Sequence, residues 1–453
     1  MQSFRTPFPE TLSVFPGDNK HPLYSLLAHV SLTAFGESAW SVRLPAMLLG
    51  VATIPALYAL GVRITSRAEA LAASALLALS YHHVWFSQNA RGYSALAFFA
   101  VVATWILLQA LRTDEYRLWI WYGIAAGLGA YTHLTFVFTV VGQFLVVVAA
   151  VLGWPSKDRR ISWRAPLAGF ALSAVLAVVL YLPMFSSVMA FFLHKQSNLR
   201  GISSPSWALT EAFRVLRLGF GGAFGIGLVV LAVGAAIGIA GAVSYARQNL
   251  RTFLLLVLPA VTTLMGAFAA RGTMYPRFFF VLAGFALLIG IRGAFEAGAW
   301  LASRLRWSEV AGYRLGAGIA AAVVLVSALS VPLNWRAPKQ DFEGAAQYAE
   351  RSAGPDDAIV TADVTTSVYS TYYQKSWKGI HTAADLDSLR HADPATGAAG
   401  HRVWFIYAFP RYLERFDASL AAYVRDACTG GNIQRFPGTV GDGDLLVCRL
   451  ERT

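Results

Sequence analysis

Ten apolar runs bounded by charged or proline-bearing ends leave this chain few folds to choose from. They cover residues 41–62, 68–84, 94–111, 118–131, 134–153, 166–185, 223–245, 252–270, 278–291 and 315–332. A helix crosses the hydrocarbon core with about 20 apolar residues, and roughly 17 to 25 is the working range. The stretch 118–153 is too long for one helix and must break at Thr132-His133-Leu134-Thr135, its one polar interruption. Only 14% of the 453 residues are charged, where a soluble chain carries about 25%. A deficit of that size means that most of the surface faces lipid.

Basic residues orient the runs. One alternating set of loops holds Arg63 and Arg67, Arg112 and Arg117, Lys157 to Arg164, Arg247 and Arg251, and Arg292 to Arg314. By the positive-inside rule these loops are cytoplasmic. The other set, outside, comprises 81–93, the turn at His133, the long loop 186–222 and 271–277. The net charge of +12 forms no stripe and accompanies no recognition module, so it reads as membrane orientation and not as nucleic-acid binding. The apolar stretch 22–35 is too short to span and reads as an amphipathic helix lying in the interface, with Tyr24 and Trp40 as headgroup-level anchors.

After Trp335 the composition turns into that of a soluble protein. Helical periodicity over 341–353, strand-like runs at 358–363, 403–407 and 445–450, and a helix near 411–427 predict a small α/β unit. With ten spans it lies outside the cytoplasm. The two cysteines of the chain, Cys428 and Cys448, both fall in it and read as a disulfide formed in an oxidising space. The expectation is therefore a polytopic α-helical membrane protein of about ten spans with a small C-terminal α/β extracytoplasmic domain. Its parts are an outer loop with an interfacial helix (1–40), a transmembrane domain (41–335) and the soluble domain (336–453).

Polar residues that membrane physics does not require collect on the outer side, where they mark function. The first group is Gly17-Asp18-Asn19-Lys20-His21-Pro22-Leu23-Tyr24. The second runs from Ser80 to Tyr93 and includes His82, His83, Gln88, Arg91 and Tyr93. The third is Tyr131-Thr132-His133, and the fourth runs from Arg271 to Arg277 and includes Tyr275. Arg91, Arg277 and Lys20 are out of place in loops otherwise poor in cations. Guanidinium groups suit bidentate capture of phosphate, so the three predict a site for a lipid-linked phosphate or diphosphate. His82 and His83 point about 100° apart on a helix, which suits hydrogen bonding to a sugar better than joint metal ligation.

These groups resemble the polyprenyl-phosphate-sugar glycosyltransferases of the C superfamily, which include protein O-mannosyltransferases and the lipid A aminoarabinose transferase. His21-Pro22-Leu23-Tyr24 is similar to the signature ending that family's first outer loop. Arg43-Leu44-Pro45 is similar to the start of its second helix, Ser87-Gln88-Asn89-Ala90-Arg91-Gly92-Tyr93 to its next outer-loop motif, and Tyr275-Pro276-Arg277 to a late helix mouth. The resemblance covers about residues 15–335. It implies transfer of a sugar from a polyprenyl-phosphate donor to a protein, lipid or glycan acceptor at the outer face of a plasma membrane, within a membrane-lipid environment and without nucleic acid. It makes Asp18 and His21 the catalytic candidates and Lys20, Arg91 and Arg277 the phosphate-binding set. His82, His83, Gln88, Tyr93, His133 and Tyr275 are the sugar or acceptor contacts. No cofactor is certain and no metal ligands are assigned, while a divalent metal is left open.

The competing reading is a transporter or flippase for a lipid-linked anion, which should show an internal repeat with paired polar breaks; none is found in the sequence. A ligase acting on diphosphate-linked oligosaccharide is a third. Residues 1–40 fall outside with no apolar run or cleavable signal to carry them there, and the family's first helix and the Asp-Glu after it have no counterpart. Both point to an absent upstream segment, with transfer impaired unless Asp18 replaces the missing acid.

Overall fold

The computed structural model describes residues 7–15, 20–154, 162–193, 210, 213, 224–269, 276–336, 338–391, 402–408, 413, 417–439 and 443–452. It divides into two compact units, Met1–Pro332 and Leu333–Thr453.

The first unit is helical. After α1 (Phe8–Ser13) and α2 (Pro22–Phe35) come α3 (Ala39–Ile64), α4 (Arg67–Ala78), α5 (Tyr81–Ser87), α6 (Tyr93–Thr113), α7 (Tyr116–Thr132) and α8 (Phe136–Val151). They are followed by α9 (Arg164–Tyr181), α10 (Phe185–Leu193), α11 (Phe224–Gln248), α12 (Leu250–Ala269), α13 (Ala283–Arg304) and α14 (Glu309–Ser330). Six helical segments among the described residues are long and apolar enough to cross a membrane: Ala39–Ile64, Tyr93–Thr113, Arg164–Ala190, Leu250–Ala269, Arg277–Arg304 and Glu309–Arg336. Pro22–Phe35 and Phe136–Val151 are shorter apolar helices.

Polar side chains set the helix boundaries. A capping box between Ser38 and Ser41 starts α3, and the Ser66 hydroxyl accepts from the Glu69 N–H to start α4, each meeting an otherwise orphaned backbone donor. The apolar run 68–84 is not one helix: α4 stops at Ala78, and Ser80 caps α5 by accepting from the His83 N–H. The run 118–153 breaks where its polar residues stand, with His133 ending α7 and Thr135 preceding α8. One helix end lies more than ten residues from the sequence reading. The helix placed at 278–291 begins as a 3-10 segment, Pro276–Leu282, and then continues past Arg292 to Arg304. Arg292 does not end it because Glu69 and Glu296 neutralise the guanidinium inside the bundle, at 3.0 and 2.9 Å.

α6 is the central helix, with 72% of its apolar window buried, whereas the windows in Arg164–Ala190 and Glu309–Arg336 are 17% buried and present apolar side chains outward. Helices meet through small residues, as expected where lipid is as apolar as leucine. A Cβ on Gly298 would lie 2.2 Å from the Gly316 nitrogen, and one on Gly293 would lie 1.8 Å from the Ile237 carbonyl oxygen. The bundle core is pinned by one polar chain: Tyr122 Oη donates to Gln143 Oε1 at 2.9 Å, and Gln143 Nε2 donates to Thr104 Oγ1 at 2.8 Å. All three are buried, so the chain joins α6, α7 and α8 with every member partnered.

The second unit is an α/β layer. Its strands are β1 (Ala358–Ala362), β2 (Lys378–Ile380), β3 (Val403–Ala408), β4 (Ile433–Phe436) and β5 (Leu445–Leu450), ordered β2-β1-β3-β5-β4. β1 pairs in parallel with β2 and β3, while β5 pairs antiparallel with β3 and β4. Helices α15 (Leu333–Arg336), α16 (Phe342–Ser352), α17 (Val364–Thr371), α18 (Ala383–Arg390) and α19 (Ala418–Ala427) complete it. Cys428, just after α19, forms a disulfide with Cys448 of β5. Three strands lie where alternation predicted them; β2 and β4 are too short to announce themselves.

Candidate functional site

His21 is the hub. It precedes α2 at 4% exposure, and its ring meets Tyr93, the first residue of α6, edge-on with centroids 4.6 Å apart. The His133 ring, at the α7–α8 break, is 4.9 Å away. His133 in turn lies 5.1 Å from Phe278, and the guanidinium of Arg277 sits 5.6 Å over the Phe278 ring. Stretches far apart in the chain thus meet at one place: the end of the first loop, the start of α6, the α7–α8 turn and the 3-10 segment before α13.

Local structure explains the meeting. The fully helical Pro22 at N1 sets the start of α2 and aims His21 back over Gly92, since proline is pre-organised for that position. A Cβ on Gly92 would stand 3.0 Å from His21 Nδ1 and 3.1 Å from His21 Cβ. Glycine there lets the imidazole lie against the chain between Arg91 and Tyr93. At the α7–α8 break His133 Nδ1 accepts from the Thr135 N–H at 3.2 Å and lies 2.7 Å from Thr135 Oγ1. That contact fixes its orientation.

The electrostatics of the hub are those of an anion site. Burial, then the charges of His133, Arg91 and Arg277, holds the His21 imidazole well below its usual pKa of 6.5, so the ring is neutral at pH 7. The Thr132 backbone is the one neighbour favouring the charged form, yet it falls short of hydrogen-bond geometry and both ring nitrogens of His21 are buried without a partner. An unpaired buried polar atom costs about 1–3 kcal/mol and points to a group the site is built to receive. Lys20, next in the chain, is half-buried, and burial lowers its pKa as well.

The other predicted residues are placed differently. His83 is buried against Phe280 with ring centroids 6.3 Å apart, and Phe280 packs on Phe86, which packs on Tyr93. It therefore stands one aromatic layer behind the hub. His82 faces Tyr81 at 5.2 Å. Gln88 is the half-buried residue that ends α5. Asp18 and Tyr275 lie outside the described residues. Among the described residues no three His, Cys, Asp or Glu side chains converge as a metal ion would need. Phe278, Phe280, Phe86 and Gly92 build the site without having been singled out from sequence; Gly92, between two motif residues, was the one with a readable signal.

Comparison with known proteins finds similarity over part of the chain. The model of the family "Dolichyl-phosphate-mannose-protein mannosyltransferase" matches residues 19–187, which include His21, Arg91, Tyr93 and His133. The putative mannosyltransferase YkcB of Bacillus subtilis (strain 168) is 25% identical over 224 residues, 49% of this chain and 29% of that protein. This chain therefore spans under a third of the length of that curated relative. An oligosaccharyltransferase of Archaeoglobus fulgidus, solved with a tethered acceptor peptide, superposes with a TM-score of 0.50 at 11% identity over 89% of this chain and 63% of its own. ArnT from Cupriavidus metallidurans in the apo state gives 0.49 at 15% identity over 95% of this chain and 88% of its own. At such identity the oligosaccharyltransferase speaks for the fold alone. Over residues 19–187 this chain is similar to the dolichyl-phosphate-mannose-protein mannosyltransferase family, and its fold is similar to that of the Archaeoglobus fulgidus oligosaccharyltransferase.

Proposed function

We propose that the chain transfers a sugar from a polyprenyl-phosphate-linked donor to an acceptor on the outer face of the membrane, with His21 at the centre of the donor site. The observation that carries this reading is the hub itself: a buried imidazole with two unpartnered nitrogens, on which the charges of Arg91 and Arg277 act. In this reading the apolar segments form about ten spans, counting α4 with α5, α7, α8 and α11 beside the six that are long and apolar enough by themselves. The α/β unit is extracytoplasmic.

The chemistry follows from the charges. Transfer breaks the bond between the anomeric carbon and a phosphate oxygen and forms one to an acceptor hydroxyl oxygen. The phosphate leaves on its lipid, and the acceptor proton passes to a carboxylate, for which Asp18 is the candidate. Negative charge builds on the phosphate as the bond breaks. Arg91 and Arg277, with Lys20, are the groups to stabilise it. His21, held neutral by burial and the nearby positive charges, donates one N–H to a phosphate or sugar oxygen without adding a charge that must be desolvated. An incoming phosphate offsets the repulsion of the two arginines and so raises the His21 pKa, coupling donor binding to proton uptake. His133 and Tyr93 hold the imidazole in place and offer polar atoms to the sugar, with His82, His83, Gln88 and Tyr275 around them.

Arg277→Ala is the test. Membranes containing the variant, given a polyprenyl-phosphate hexose labelled in the sugar, should transfer label about 100-fold more slowly, the cost of losing one charge-stabilising donor, with the melting temperature unchanged. Wild-type transfer by the variant would remove the arginine from the phosphate site.

A further inference from the structure

Away from the outer hub, at the opposite ends of the helices, α11 and α13 enclose an open groove of about 630 Å³ lined by Ala236, Ile237, Ala240, Val243, Ser244, Arg247, Gln248, Glu296, Ala297 and Trp300. Its walls are graded. The end toward mid-helix is apolar (Ala236, Ile237, Ala240), and the end at the last turn of α11 carries a guanidinium, a carboxylate and an indole. Close packing of the two helices at Gly241 and Gly293, where a Cβ on either would lie within 2.0 Å of a backbone atom of the other helix, fixes the walls.

Two groups in the groove are left over. Glu296 accepts from Arg292 at 2.9 Å and from the Ser244 hydroxyl at 2.7 Å, and both contacts use Oε1. Among the described residues Oε2 has no partner, and neither has the exposed guanidinium of Arg247. The indole of Trp300 beside them is exposed at 61% and carries Arg304 at 5.7 Å. Tryptophan and arginine together are the side chains found at headgroup depth. Arg247, Arg304 and the nearby Arg251 also belong to the basic set that orients this end to the cytoplasm.

We infer that this groove binds one phospholipid of the inner leaflet with a zwitterionic primary-ammonium headgroup, that is, a phosphatidylethanolamine. The phosphate pairs with Arg247, the ammonium donates to Glu296 Oε2, and an acyl chain fills the apolar end. A purely anionic lipid satisfies Arg247 but sets its charge against Glu296. A choline headgroup carries the positive charge but has no N–H to donate. The carboxylate thus selects the headgroup, and the arginine holds any phospholipid.

Native mass spectrometry of the full chain in mild detergent, titrated separately with dioleoyl phosphatidylethanolamine, phosphatidylcholine and phosphatidylglycerol, tests this. Binding does not depend on sugar transfer, so a failed transferase assay leaves the result interpretable. The ethanolamine lipid should bind about tenfold more tightly than either of the others, which is the scale of one hydrogen bond to a charged group. Glu296→Gln should erase that preference, and Arg247→Ala should weaken all three. Should Glu296→Gln disturb the Arg292 contact, Ala240→Leu provides a second arm: it fills the apolar end, leaves the charges in place and should abolish tight binding of all three lipids. Equal or tighter binding of phosphatidylglycerol by the wild type, or full binding by Ala240→Leu, would overturn the inference.

Discussion

The helical unit carries two charged clusters separated by about the length of α6, some 30 Å for its 21 residues at about 1.5 Å each, and they are built on opposite plans. At the far end Arg292 bridges Glu69 and Glu296, its Nε donates to Ser244 at 3.0 Å, and Thr65 and Ser66 donate to the Glu69 carboxylate. Opposite charges meet there and nearly every polar atom has a partner. At the hub a neutral imidazole is pressed among cations and aromatic rings, with both its nitrogens unpartnered. The first arrangement holds helices together. The second is the site proposed above for a lipid phosphate. The contrast distinguishes a structural ion cluster from a proposed binding site within one bundle, where charge content alone would treat them alike.

The largest effect should come from breaking the satisfied cluster. The Arg292 side chain is 17% exposed and that of Glu69 4%, so Arg292→Met strands a buried carboxylate, at a cost of about 3–5 kcal/mol. The melting temperature in detergent should fall steeply, while Arg292→Met together with Glu69→Leu should recover much of the loss. A single variant as stable as the wild type would show that the cluster holds little.

Acid should act mainly on the hub side. His21 is held neutral, its folded pKa well below the usual 6.5 because of burial and the nearby positive charges. The unfolded chain therefore binds more protons than the folded one below that value. Stability present above pH 6.5 is lost as pH falls below it. Melting curves between pH 7.5 and 4.5 should show the decline, and His21→Phe should flatten it. A pH-independent melting temperature would contradict the buried neutral state.

Gly92→Ala should be milder. The added methyl presses on His21, which must yield by a few tenths of an ångström, and overpacking of this kind costs about 1–3 kcal/mol. Donor use should fall more than stability does, because the displaced ring is the hub. Equal losses in both would make Gly92 a packing residue only.

How far the two clusters could be read from sequence differs too. The hub was visible because polar residues at span mouths stand out against apolar runs: Lys20-His21, Arg91, His133 and Arg277 were all identified there. Their grouping, and the aromatic rings of Phe278, Phe280 and Phe86 that set the spacing, depend on tertiary packing that no periodicity reports. The other cluster stayed hidden because Arg292 counted only as a topological charge and Glu69 was given no role. Their pairing joins positions 223 residues apart. Six of the apolar runs read from sequence coincide with helical segments long and apolar enough to span, while the run 68–84 is two helices and a neutralised arginine lets α13 run on to Arg304. In the α/β unit alternation revealed β1, β3 and β5, whereas a three-residue strand such as β2 carries too short a pattern to read.

The central claim, that the hub receives a lipid phosphate, is tested most directly by binding of radiolabelled undecaprenyl phosphate to the purified chain at pH 7, without any acceptor or turnover. Wild-type protein should bind saturably, Arg91→Ala and Arg277→Ala should each weaken binding by about tenfold or more, the cost of a lost charge-assisted contact, and Arg247→Ala in the inner groove should leave it unchanged. Binding that survives both outer substitutions but is lost in Arg247→Ala would place the lipid phosphate at the wrong end of the molecule and contradict the account.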